Sequence, residues 1–153
     1  MGLFRRDKGD RDAADSAPVV DDGSGVEPLE AISAAPLGPD ERARIEAGLA
    51  ALTTAGIDVD DLGSLSAGFD AAVDRGDASM LPVLAVGVGE HLHRHALLRW
   101  AVVTDAFGRD LGLEGRRRDL HIVPDSLLSA RWMRREKGWL EGALRHLVDT
   151  AAR

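Results

Sequence analysis

The chain has 153 residues, 44% of them hydrophobic, which is enough for one domain with its own core and gives no reason to expect two. A net charge of −7 argues against general affinity for nucleic acid, whose binding needs Lys and Arg to displace counterions from phosphates. The absence of cysteine excludes disulfides, thiol chemistry and Cys-ligated zinc.

No apolar run approaches the ~20 residues of a membrane-spanning helix. The first residues, Met1 to Lys8, carry basic groups but are followed by Gly9, Asp10, Arg11 and Asp12, where a signal peptide has its apolar stretch. A cytoplasmic location is therefore expected, and the preference for Arg over Lys, 17 to 2, points to a GC-rich bacterial genome.

Residues 1–36 mix Asp, Gly, Ser, Ala and Pro and hold four basic against eight acidic residues, so they bury too little to offset the entropy of ordering. They are expected to form a disordered acidic tail, with 37–153 as a single α+β domain. Leu3 and Phe4, beside Arg5, Arg6 and Lys8, have the make-up of a membrane-surface contact, but the acidic residues that follow would be repelled there, and a frayed terminus is the simpler expectation.

Gly38 and Pro39 open the first predicted helix, Asp40 and Glu41 suit its positive end, and Gly56 closes it. Ile45, Leu49 and Leu52 form its apolar stripe. Between Asp58 and Gly76, the spacing of Leu62, Leu65, Phe69, Ala72 and Val73 predicts a second helix, capped by Asp58 or Asp60 and packed antiparallel against the first. The third, Met80 to His95, is apolar nearly all round through its first three turns, the mark of a central helix. Pro82 places its start close by, with Asp77 or Ser79 as the cap, and Gly87 and Gly89 imply that another backbone comes near.

Leu97 to Thr104 is β-branched and aromatic with both alternating sets largely apolar, so it predicts a strand covered on two sides. Asp105 to Gly108 reads as a hairpin turn, Arg109 to Leu113 as the returning strand and Leu120 to Val123 as a third. Pro124 starts a fourth helix that Gly138 ends, and Trp139 to Ala151 forms the last. Strands clustered between runs of helices give α+β: a small three-stranded antiparallel sheet packed against about five helices.

His91 and His95 share a helix face at a spacing that can chelate a divalent metal, with Glu90 beside them; the commoner arrangement is a solvated helix end, since nothing in the spacing supplies a further ligand. Glu90 itself is expected to pair with an arginine such as Arg99 or Arg131, a structural tie being commoner than a catalytic acid without a nucleophile or second carboxylate. Arg116, Arg117 and Arg118, with Arg131, Arg134 and Arg135, are the basic concentration; they could hold an anion or acidic partner, but Glu114, Asp119 and Glu136 interrupt the field. Asp105 to Gly108 lacks the glycines and the Lys of a phosphate loop. Trp100, Trp132 and Trp139 fit core and rim packing better than a stacking site.

Taken together, Gly87-Val-Gly-Glu90 with Leu92, Arg99-Trp-Ala-Val-Val-Thr-Asp105, Phe107-Gly108, Asp110-Leu111, Ile122-Val-Pro124 and Arg131-Trp132 resemble a bacterial family of small domains, domain of unknown function 3806. The likeness runs from about Leu62 to Leu147 and implies a fold neighbourhood with no assigned activity. No nucleophile–base pair, spaced carboxylates or nucleotide loop stands out. The expectation is thus a non-enzymatic protein-interaction or regulatory module, with no cofactor and with a protein partner or a second copy to bind. Its interaction or structural residues would be Glu90, Trp100, Asp105, Gly108, Arg131 and Trp132. The alternatives are a metal or small-ligand site at Glu90, His91 and His95, and an anion or nucleic-acid contact at Arg116 to Arg118.

Overall fold

In the computed structural model, residues 31–117 and 119–153 are described. In chain order they form β1 (Ser33–Ala35), α1 (Pro39–Thr54), α2 (Leu62–Arg75), α3 (Met80–His95), β2 (Arg99–Asp105), β3 (Gly108–Glu114), β4 (His121–Ile122), α4 (Pro124–Met133) and α5 (Leu140–Ala151). The α+β class holds, but the antiparallel sheet has four strands in the order β1-β2-β3-β4, not three. The added strand, Ser33–Ala35, lies in the segment expected to be tail: Ser33 pairs with Thr104, Ala34 with Val103 and Ala35 with Val102. The disorder and membrane-contact expectations otherwise fall on residues 1–30, outside the described residues.

α3 is the centre of the molecule, packed against α1, α2, α4 and α5 and against β2 and β3. Its limits are the expected ones, with Asp77 accepting from Ser79 N–H just ahead of it. The expected pairing of α1 with α2 gives way to packing of each on α3, and α2 also packs on α5. Gly48 explains the first of these contacts: a Cβ there would lie 2.7 Å from a methyl of Val86, so its bareness lets α1 sit down on α3. The α2 cap is Asp61, whose Oδ1 accepts from Gly63 N–H at 2.8 Å, while Asp58 takes Asp60 N–H one turn earlier.

Leu65, Phe69, Leu84, Leu92, Leu128 and Leu144 are among the fully buried side chains of the main core. Phe69 packs T-shaped with Trp132 and Trp139, with ring centres 6.4 and 5.5 Å away. Those two indoles are thus core and rim, as apolar spacing suggested. α4 stops at Met133 and not at Gly138: Arg135 turns left-handed at φ 53°, and its guanidinium donates to Val73 O at 3.2 Å. Among the described residues no helix is long and apolar enough to cross a membrane.

Candidate functional site

The residues singled out on α3 converge with β2 and the α1–α2 link into one polar cluster. Trp100 lies over Gly89, where an added Cβ would fall 2.8 Å from Cζ3 and nearer still to two other ring carbons. The glycine is therefore a seat for an indole, and Gly87 likewise makes room for methyls of Leu65 and Leu52; side chains, not another backbone, fill both notches. The next residue, Glu90, has a side chain only 12% exposed, and its Oε2 accepts from Trp100 Nε1 at 3.0 Å. Its Oε1 accepts from Arg94 Nε at 2.8 Å, one helical turn on.

Arg94 continues outward, donating through Nη1 to Asp60 Oδ2 at 2.9 Å. The other oxygen of Asp60 lies 2.9 Å from His95 Nε2. His91, buried, lies against the His95 ring at 4.4 Å between centres and has Nδ1 2.7 Å from Val59 O. A carbonyl can only accept, so His91 carries its proton on Nδ1. The outward His93 is used in the same way, with Nδ1 2.7 Å from Leu98 O.

These contacts set the titration of the cluster. Burial holds the His91 imidazole below its ordinary value, against the opposing pull of the Val59 carbonyl. The hydrogen bond from His95, aided by Arg94, holds the Asp60 carboxyl below the usual carboxylate range. The Glu90 carboxylate, first among its neighbours, holds the Arg94 guanidinium above its ordinary value. Both oxygens of Glu90 and of Asp60 are already engaged, and among the described residues no three His, Asp or Glu side chains are grouped to hold a metal ion.

The expected arginine partners of Glu90 are elsewhere. Arg99 pairs with Glu114 at 2.9 Å across β2 and β3. Arg131 pairs with Glu136 and stands 5.0 Å over the Trp139 ring. Arg94, the actual partner, could have been found from its i+4 spacing to Glu90; Asp60, on a link far away in sequence, carried no such signal.

Asp105 and Gly108 do form the hairpin turn. Asp105 Oδ1 accepts from Phe107 N–H at 2.8 Å, and Gly108 has the positive φ, 132°, that the turn requires. At its tip Phe107 is 99% exposed. Leu97 and Met133, exposed at other points, are 60% and 81% accessible.

Arg116 and Arg117 border a cleft of about 280 Å³ together with Ala96 to Leu98 and the last turn of α5. α3 and α5 both end there, and their C-terminal carbonyls give these guanidiniums a local counter-charge. Arg118 is outside the described residues. Arg135 borders a different cleft, with Trp132 and Met133, so the two basic sets do not converge on one cavity.

The model of a family described as domain of unknown function (DUF3806) matches residues 61–141, from the cap of α2 to the first turn of α5, and the chain belongs to that family. No curated protein and no solved structure matches the chain.

Proposed function

For this member of a family without an assigned activity, we propose a non-catalytic role as a protein-interaction module that uses the hairpin end of its sheet. The observation that carries the reading is Phe107, wholly exposed at a two-residue turn that Asp105 and Gly108 hold in one shape. Burying a Phe side chain is worth about 1.5–3 kcal/mol, so an aromatic group on a stiff turn offers a partner apolar area at little ordering cost. In support, each group that looked reactive has an internal partner: Glu90 in Trp100 and Arg94, His91 in Val59, His95 in Asp60.

The test is to measure the mass of the chain in solution with and without cell extract, beside a Phe107→Ser variant. The expected result is a complex that the variant loses while its melting temperature stays put. A chain that captures no protein under any condition, or whose capture ignores Phe107, overturns the reading.

A second reading, an anion contact, rests on Arg116 and Arg117, which make no ion pair among the described residues, and is opposed by Asp119 and the negative ends of α3 and α5 that border the same cleft. Its required signature is binding of a phosphate-bearing probe that weakens steeply with added salt.

A further inference from the structure

Behind Phe107 the hairpin leaves a cleft of about 110 Å³ against the start of α4, lined by Val103 and Val123 and rimmed by Asp105, Phe107, Arg109 and Ser126. That is room for one aliphatic side chain beside the exposed ring. The charges around it are in different states. Asp110 accepts from Arg44 at 3.0 Å and Glu41 from Arg109 at 3.3 Å, so both of these guanidiniums already have a carboxylate. Glu41 also accepts from Gly38 N–H at the start of α1, and Asp125 sits in the first turn of α4, where the helix dipole suits a negative charge. Asp105 differs from all of these. Its Oδ1 accepts from Phe107 N–H at 2.8 Å, and it makes no ion pair among the described residues. One short turn thus holds together a bare aromatic ring, an apolar cleft and a carboxylate without a counter-ion.

We infer that the hairpin end takes a segment of a partner protein in which an arginine adjoins an aliphatic side chain. This deepens the interaction-module reading and rests on it. The aliphatic group fills the cleft beside Val103 and Val123, while the guanidinium, planar and weakly hydrated, lies on the face of Phe107 and donates to the Asp105 carboxylate. An acidic segment would meet Asp105 as a like charge, and a purely apolar one would leave that carboxylate covered without a partner. Long-range charge makes the same choice. A chain of net charge −7 draws a basic segment toward it and repels both an anionic lipid surface and a second copy of itself.

The test is titration of the full chain with short synthetic peptides, followed through the protein's amide signals by nuclear magnetic resonance. One peptide alternates leucine and arginine, a second has glutamate for every arginine, and a third has serine for every leucine. The first should move the signals of residues 105–109 and of Val123 and saturate; the second should leave them still, and the third should bind more weakly at the same place. Asp105→Asn, whose side-chain oxygen still takes Phe107 N–H, should keep the melting temperature and weaken the first peptide about two- to fivefold, the range of one exposed ion pair. Phe107→Ser should weaken it more than about tenfold. Added salt should narrow the gap between the first two peptides. Binding that ignores the sign of the peptide's charge, signal changes confined to another face, no binding by any peptide, or self-association of the chain through Phe107 each overturns the inference. If Phe107-dependent capture from extract persists while the leucine–arginine peptide fails, the arginine-bearing partner falls and the hairpin-end reading stands. If the peptide binds at 105–109 and nothing is captured, the chemistry of the site is supported and it is the interaction-module reading that falls.

Discussion

Gly89→Ala is the sharpest test of how α3 and β2 are joined. The added methyl would fall 2.8 Å from Cζ3 of Trp100 and closer to two other ring carbons, below any real Cβ contact, so the indole must move. Overpacking of this kind costs about 1–3 kcal/mol. A displaced indole also surrenders its bond to the half-buried Glu90 carboxylate, and hydrogen bonds to charged groups are worth about 1.5–3 kcal/mol. Against this, Ala gains about 1 kcal/mol over Gly in a helix interior. The net expectation is a loss of about 2–4 kcal/mol, a melting temperature lower by roughly 10 °C for a domain of this size. Thermal unfolding followed by near-ultraviolet circular dichroism reads both the stability and the indole environment. Gly142→Ala on α5 is the control, since a Cβ there meets nothing within 4 Å; it should be neutral or stabilising by up to about 1 kcal/mol. If Gly89→Ala proves as stable as the parent, the reasoning about the notch is refuted.

Stability should fall on mild acidification. His91 titrates below the ordinary histidine value of about 6.5 because it is buried, so the folded state binds fewer protons than the unfolded one. The stability it supplies is complete above that ordinary value and is lost as pH drops through the lowered one; a further loss follows at acid pH as Asp60 is protonated. Urea midpoints between pH 8 and pH 4 would show both, and His91→Asn, whose amide N–H stands at the δ position to donate to Val59 O but does not titrate, should remove the first. Glu90→Gln and Trp100→Phe should couple by about 1–2 kcal/mol in a double-mutant cycle of unfolding free energies, additivity being the contrary result. Arg94→Met should cost about 1–3 kcal/mol because it strips the partner from a carboxylate 12% exposed, whereas Asp60→Asn, at a group 49% exposed, should cost under about 1 kcal/mol. Equal losses in the two chemical-denaturation curves would mean that burial of Glu90 is unimportant.

What the sequence disclosed depended on whether a residue's neighbours along the chain decide its state. α3 was legible to its ends because Pro82 can sit only in the first turn and the apolar run stops at the histidines. The β2–β3 hairpin was legible because Asp105 and Gly108 form a turn by themselves. β1 was not, since Ser-Ala-Ala has no alternation and becomes a strand only by lying beside Val102 to Thr104. The end of α4 was misplaced for a similar reason. Residues 134–137 read as helix, but Arg135 is drawn to Val73 O and Gly138 N–H to Asp70, contacts 62 and 68 residues away.

The polar cluster shows why residue types alone gave three candidate chemistries at one helix end. Glu, His and His spaced along a helix are the same atoms whether they bind a metal, move a proton or tie a fold together; what separates these outcomes is how many lone pairs and N–H groups remain unspent. Here the spending begins inside, with an indole that fits only because Gly89 is bare, and runs outward through Glu90, Arg94 and Asp60 to a histidine at the surface. Each member fixes the next, so the α1–α2 link is fastened to β2 by way of α3, and a low-dielectric setting strengthens the inner bonds most. Of the large apolar side chains left in water among the described residues, Ile32, Leu97, Phe107 and Met133, the most exposed is Phe107, at the opposite kind of place on the hairpin tip. On the interaction role proposed above, Phe107 is the side chain with the most apolar surface to give a partner.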